Sequence, residues 1–180
     1  HILTIDELAE AFVAWMHQLG LRSAIFLGHS LGCQIIANLA AHHPQHVEQA
    51  ILVSPTMDPS ALTIHQEGGR LLRDVPCEPL HFLPVLLREY MLAGIPRTIR
   101  TLQYAFADPV EKHLSQMHVP TLVVRGSRDP IIPQTWAERV SQLLPDSQFV
   151  VIPDAGHAVN YAKPEKLVDA VLTFLRAERH

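Results

Sequence analysis

The sequence predicts an α/β fold, a parallel sheet flanked by helices, and three observations lead there. Short continuous apolar runs at residues 24–27, 50–53, 121–124 and 148–152 alternate with helical patterns, as strands covered on both faces require. These runs lack the period-two alternation of a half-exposed strand and are too short for helices. The first of them leads into Gly28-His29-Ser30-Leu31-Gly32, a G-x-S-x-G pentapeptide with a helical pattern behind it.

In chain order, Thr4 and Glu7 form a capping box that starts a helix. Leu8, Ala11, Phe12, Trp15 and Leu19 recur at three- and four-residue steps and are expected on its inner face, with Trp15 in the core. Gly20 is a helix stop. After the 24–27 strand, a serine on a sharp strand-to-helix turn has its hydroxyl forced outward above the sheet. Gly28 and Gly32 are expected to remove β-carbons that would collide where the chain doubles back. An ordinary buried turn serine is the competing reading of Ser30. The helix over 31–41 carries Cys33, expected to be a small buried thiol. Pro133 opens a helix with Trp136, Val140 and Leu143, and Pro164 opens the last one, with Leu167, Val168, Val171, Leu172 and Leu175 facing inward.

Two later loops carry candidate partners for Ser30. Asp129 lies just past the 121–124 strand, and His157 just past the 148–152 strand. In a parallel sheet those strand ends share one edge, so the three groups can converge there. A serine hydroxyl needs such a base to attack, the base needs an acid to fix its tautomer, and the Leu31 N–H at the helix start can bind a developing oxyanion. Asp58, after the 50–53 strand, is the rival acid, and Asp129-Pro130 also reads as a plain turn. His29 is expected to be structural, and Asn160 and Tyr161 to anchor the loop into the last helix.

The stretches GHSLG, GSRDPIIP and DAGHAVNYAKPE, in this order at strand ends, resemble the α/β-hydrolase superfamily, specifically a serine hydrolase with a helical cap. The resemblance implies a hydrolase core at 1–57 and 116–180 and a helical cap at 58–115. Within the cap Leu83, Leu86, Leu87, Tyr90, Met91, Tyr104 and Phe106 could line an apolar pocket, a few of them touching ligand. It implies Ser30 as nucleophile, His157 as base and Asp129 as acid, with a small apolar acyl substrate, an ester or thioester. It also implies strands ahead of residue 4 and a His-Gly loop with a second oxyanion donor, so the chain is expected to be N-terminally truncated or completed by another polypeptide, and feeble alone. Serine at the elbow argues against haloalkane dehalogenase and epoxide hydrolase chemistry. C–C hydrolysis of ring-fission diketones stays open, although Ala158 and His29 depart from that pattern. A non-catalytic ligand-binding module on the same scaffold is the alternative from another class.

Composition sets the outer bounds. The 180 residues are 48% hydrophobic with net charge −4, enough for one core and without a basic footprint for nucleic acid. No apolar run approaches the roughly 20 residues of a membrane span. Two cysteines, Cys33 and Cys77, make no disulfide framework and suit a reducing, cytoplasmic setting. Among the twelve histidines, His42, His43 and His46 cluster beside Pro44 without zinc-ligand spacing and read as a solvated helix end. No cofactor or metal ligand is expected.

Overall fold

The computed structural model describes residues 1–59 and 64–177, with only the backbone at 64, 65 and 67; part of the 58–115 segment thus lies outside the described residues. Four parallel strands, β1 (Ala24–His29), β2 (Val47–Val53), β3 (Thr121–Gly126) and β4 (Ser147–Ile152), form one sheet in the order β1-β2-β3-β4. Each strand is one to three residues longer than its apolar run. Glu48 and Gln49 hide the start of β2 from a hydrophobicity pattern, yet Val47 pairs opposite Ala24 and Gln49 opposite Ile25, the register skipping Glu48.

Helices α1 (Ile5–Gln18) and α2 (Leu31–His42) flank β1 in the chain, and α7 (Gln134–Leu143), α8 (Val159–Ala162) and α9 (Pro164–Ala177) accompany the last two strands. Between β2 and β3 run α3 (Ile64–Asp74), α4 (Leu83–Ala93), α5 (Ile95–Ala107) and α6 (Val110–Gln116). One core cluster holds Val13, Ile36, Leu52, Leu114, Val123, Trp136 and Val140, so α1, α2, α6 and α7 cover one face. The other face packs Ile51, Val53, Leu122, Val124 and Ile152 against Leu167 and Phe174. Phe174 is 2% exposed, and burial of such a side chain contributes about 1.5–3 kcal/mol.

The Thr4 capping box is present in full, and Gly20 adopts φ 68° just past the helix end, the left-handed conformation that glycine allows at little cost. The buried stripe of α1 differs from the expected one. Ile5, Ala9, Val13 and Met16 face α2, whereas Trp15 is 53% and Leu19 54% exposed. Two apolar stripes lie side by side on this helix, and periodicity does not tell which one meets a neighbour. The same ambiguity misplaced Val168 and Leu172 of α9, which are exposed, while Phe174 is buried. Of the histidines near Pro44, His42 is exposed as expected of a solvated helix end and His43 pairs with Glu10, whereas His46 is buried and donates Nδ1–H to the Arg22 carbonyl. Among the described residues no helix is long and apolar enough to cross a membrane.

Candidate active site

Ser30 sits between β1 and α2 with φ 54° and ψ −120°, a conformation that costs a non-glycine residue energy unless its surroundings impose it. The surroundings do so. Its N–H is tied to the Val53 carbonyl at 2.9 Å, and α2 starts at once with Leu31. A β-carbon at Gly28 would lie 2.6 Å from the Ile36 Cδ1 and 2.7 Å from the Gly32 carbonyl carbon, so a side chain there would push the turn open. The constraint is one-sided: a β-carbon at Gly32 would meet nothing within 4 Å among the described residues. As the first helical residue, Leu31 carries one of the N–H groups for which a helix has no internal acceptor.

Asp129 lies in the loop after β3 and is 2% exposed. Its Oδ1 accepts the N–H groups of Ile131 and Ile132, both at 2.9 Å, and its Oδ2 accepts from His157 Nδ1 at 3.0 Å. An ionised carboxylate only accepts, so the His157 proton is on Nδ1 and the Nε2 lone pair is left available as a base. Burial pushes the Asp129 carboxyl up, but the His157 hydrogen bond and charge and the Ile132 amide outweigh it and hold the group below its ordinary value. Burial likewise pulls His157 down, and the hydrogen bond and charge of Asp129, with Asp74 and Glu78 adding to them, bring it above 6.5. Asp58, the rival acid, is instead engaged by Arg70, whose Nη2 donates to its Oδ2 at 2.9 Å.

Three supports around this pair went unread in the sequence. Arg125, 6% exposed, donates to the carbonyls of Ile132 and Asp129, each at 2.7 Å, and so braces the loop that carries Asp129. Asp74 at the end of α3 accepts the His157 N–H at 3.2 Å, and Glu78 accepts the Ala158 N–H at 2.7 Å. Gly156 lets Glu78 in, since a β-carbon there would stand 2.5 Å from Glu78 Oε1. Burial and the neighbouring Glu78 push the Asp74 carboxyl up to about 6. Only the clustering of Asp74 and Glu78 in the segment between β2 and β3 could have hinted at these contacts.

His29 donates Nε2–H to the His157 carbonyl at 2.9 Å, and burial followed by the His157 charge pushes it down to about 4. It stays neutral at ordinary pH and braces the loop. Tyr161 packs on Phe82, with ring centroids 4.4 Å apart, and so reaches across to the segment between β2 and β3 rather than only into α9. Cys33 is buried against the Gly28 and Val53 carbonyls, and burial pushes its thiol up.

Ser30, His29 and His157 line one side of a cavity of about 500 Å³, whose walls are mainly apolar. Leu71, Leu72, Leu83, Leu86, Tyr90 and Leu102 close it from the helical segment. Of the side chains expected there, Leu83, Leu86 and Tyr90 line the cavity; Leu87 and Met91 are 62% and 71% exposed on the outer face of α4. The structure thus brings Ser30, on its strained turn, and the imidazole of His157, held by Asp129, to the same apolar cavity.

The profile described as "Alpha/beta hydrolase family" matches residues 2–170, and the chain belongs to that family. A pimeloyl-[acyl-carrier protein] methyl ester esterase of Nitrosomonas europaea is 31% identical over 78% of this chain and 67% of its own length. A carboxylesterase of Bacillus subtilis is 29% identical over 91% of this chain and 62% of its own. The dihydrolipoyllysine-residue acetyltransferase component of an acetoin cleaving system of Pseudomonas putida is 28% identical over 96% of this chain and 50% of its own length. The chain therefore spans between half and about two thirds of these relatives. Among solved structures, an N-acyl homoserine lactone degrading enzyme superposes with a TM-score of 0.81 at 24% identity, covering 95% of this chain and 74% of that one, a likeness of fold.

Proposed function

We propose that the protein is a serine hydrolase that cleaves carboxylic esters or thioesters through an acyl-enzyme. His157 Nε2 takes the Ser30 proton as Oγ attacks the acyl carbon, the imidazolium is stabilised by Asp129, and the Leu31 N–H binds the oxyanion. His157 then returns the proton to the leaving alcohol or thiol, and water releases the acid by the same route in reverse. The observation that carries this reading is the 3.0 Å Asp129–His157 pair opening on the cavity that Ser30 also lines. The apolar chamber favours a small apolar acyl group, and the esterases among the relatives favour an ester bond. In this reading residues 58–115 act as a cap over the substrate.

A fluorophosphonate probe tests the proposal. It should attach to Ser30 in the native protein and fail on Ser30→Ala and on heat-denatured protein. Equal labelling of native and denatured protein overturns the enzyme reading. Among enzymes, an ester series of rising acyl length should be hydrolysed in preference to a ring-fission diketone, and the reverse preference overturns the ester assignment.

A further inference from the structure

Away from Ser30, a second polar cluster gathers residues that are far apart in the sequence. Asp6 in the first turn of α1, Asp108 just past α5 and His113 on α6 each present one ligand atom, all within 4.8 Å of one another. The side chains of Asp108 and His113 are 3% and 5% exposed, and Asp6 lies at the surface. Neighbours on α2 hold one oxygen of each carboxylate: Asn38 Nδ2 donates to Asp6 Oδ1 at 2.5 Å and Gln34 Nε2 to Asp108 Oδ2 at 3.1 Å. The remaining Asp108 oxygen, Oδ1, faces the imidazole. Independently, His113 Nδ1 is buried without a hydrogen-bond partner among the described residues, and Asp108 Oδ1 stands 3.5 Å from it. A buried imidazole nitrogen left unsatisfied is costly, and two carboxylates converging on it make the spot attractive to a cation.

We propose that Asp6, Asp108 and His113 form a divalent metal site, best suited to Zn²⁺, that ties the start of α1 to the α5–α6 corner across α2. One imidazole and two carboxylates supply three ligands, and water completes a tetrahedron. A mixed nitrogen and oxygen set favours Zn²⁺ over Mn²⁺, and both over Mg²⁺ and Ca²⁺, which prefer all-oxygen surroundings. Ligand atoms on bonds of about 2.1 Å sit about 3.4 Å apart in a tetrahedron, so the cluster tightens on binding. Asp6, the surface member, makes most of that movement. Asn38 and Gln34 orient the carboxylates from behind, as outer-shell donors do in built metal sites.

The test uses the full chain, stripped with chelator and titrated with Zn²⁺, Mn²⁺, Mg²⁺ and Ca²⁺ by calorimetry, with the melting temperature followed in parallel. One Zn²⁺ per chain should bind and raise the melting temperature, and Co²⁺ should give the visible bands of a four-coordinate site. Asp6→Asn, at the surface and safe for folding, should weaken Zn²⁺ at least tenfold, and His113→Gln should do so more strongly. His43→Ala, which removes the separate pair with Glu10, should leave the affinity within twofold. No zinc binding up to millimolar concentration overturns the proposal. So do unchanged affinity in Asp6→Asn, loss of affinity in His43→Ala, and Mg²⁺ or Ca²⁺ binding as tightly as Zn²⁺.

Discussion

Replacing Asp129 by Asn tests the proposed roles at the level of single hydrogen atoms. Asp129 Oδ1 faces two backbone donors, Ile131 and Ile132, and Oδ2 faces His157 Nδ1. An asparagine has one oxygen and one NH₂ to divide between these sites. Turning the NH₂ toward the two amides would set donors against donors twice, so the oxygen stays there and the NH₂ points at His157. Nδ1 must then accept, the imidazole proton moves to Nε2, and the base that should take the Ser30 proton becomes a donor. The side chain keeps its shape, so the loss falls on the chemical step. It should lower kcat by about 10⁴-fold, the size a wrong histidine tautomer costs where an acid-held imidazole is the base. The assay is hydrolysis of short-chain p-nitrophenyl esters, with fluorophosphonate labelling rates as a second readout and a circular dichroism melt as the folding control. Asp58→Asn, which touches the Arg70 contact, serves as the comparison and should cost far less. The reasoning fails if folded Asp129→Asn keeps activity within tenfold, or if Asp58→Asn is the more damaging change.

Other outcomes follow from the same geometry. The kcat/KM should rise with pH as His157 loses its proton, with a midpoint above 6.5, and His29, held near 4, should not appear in the profile. The sign for stability is opposite at the two partners. The raised His157 contributes below 6.5 and its contribution is lost as pH climbs through the folded value, whereas the lowered Asp129 contributes above 3.8 and loses it as pH falls. Urea unfolding of the wild type should therefore show these two slopes, and Asp129→Asn should flatten both. Arg125→Met should leave the Asp129 loop unbraced and lower kcat by about 10²-fold, the cost of a misplaced catalytic group, with a smaller change in KM. Gly126→Ala would put a β-carbon 2.2 Å from the Gly156 carbonyl oxygen, and differential scanning calorimetry should register a loss of about 3 kcal/mol or no cooperative transition at all.

The central strands were readable because burial on both faces leaves unbroken apolar runs, as at 121–124, where every residue is buried, and β1 kept an apolar run although Ile25 and Leu27 are 41% and 51% exposed. The candidate site was readable because Ser30, Asp129 and His157 each follow such a run, and topology alone carries strand ends to one edge. What was lost is what neighbours decide. Trp15 and Val168 sit on apolar stripes that only tertiary contact could rank against Met16 and Phe174. The polar supports were hidden for the same reason: Asp74 and Glu78 meet the His157 loop across 83 and 80 residues, and nothing local marks a carboxylate that will accept a distant amide. The Asp6, Asp108 and His113 group is another case, since its members share no spacing that a motif could capture.

The most direct measurement is a crystal structure of the protein after reaction with a small alkyl fluorophosphonate. The phosphorus should be bonded to Ser30 Oγ, with a phosphonyl oxygen about 2.7–3.1 Å from the Leu31 N–H, His157 Nε2 beside the adduct and the Asp129 contact intact. Phosphorus on any other residue, or an adduct at Ser30 with the His157 ring turned away into solvent, would contradict the account.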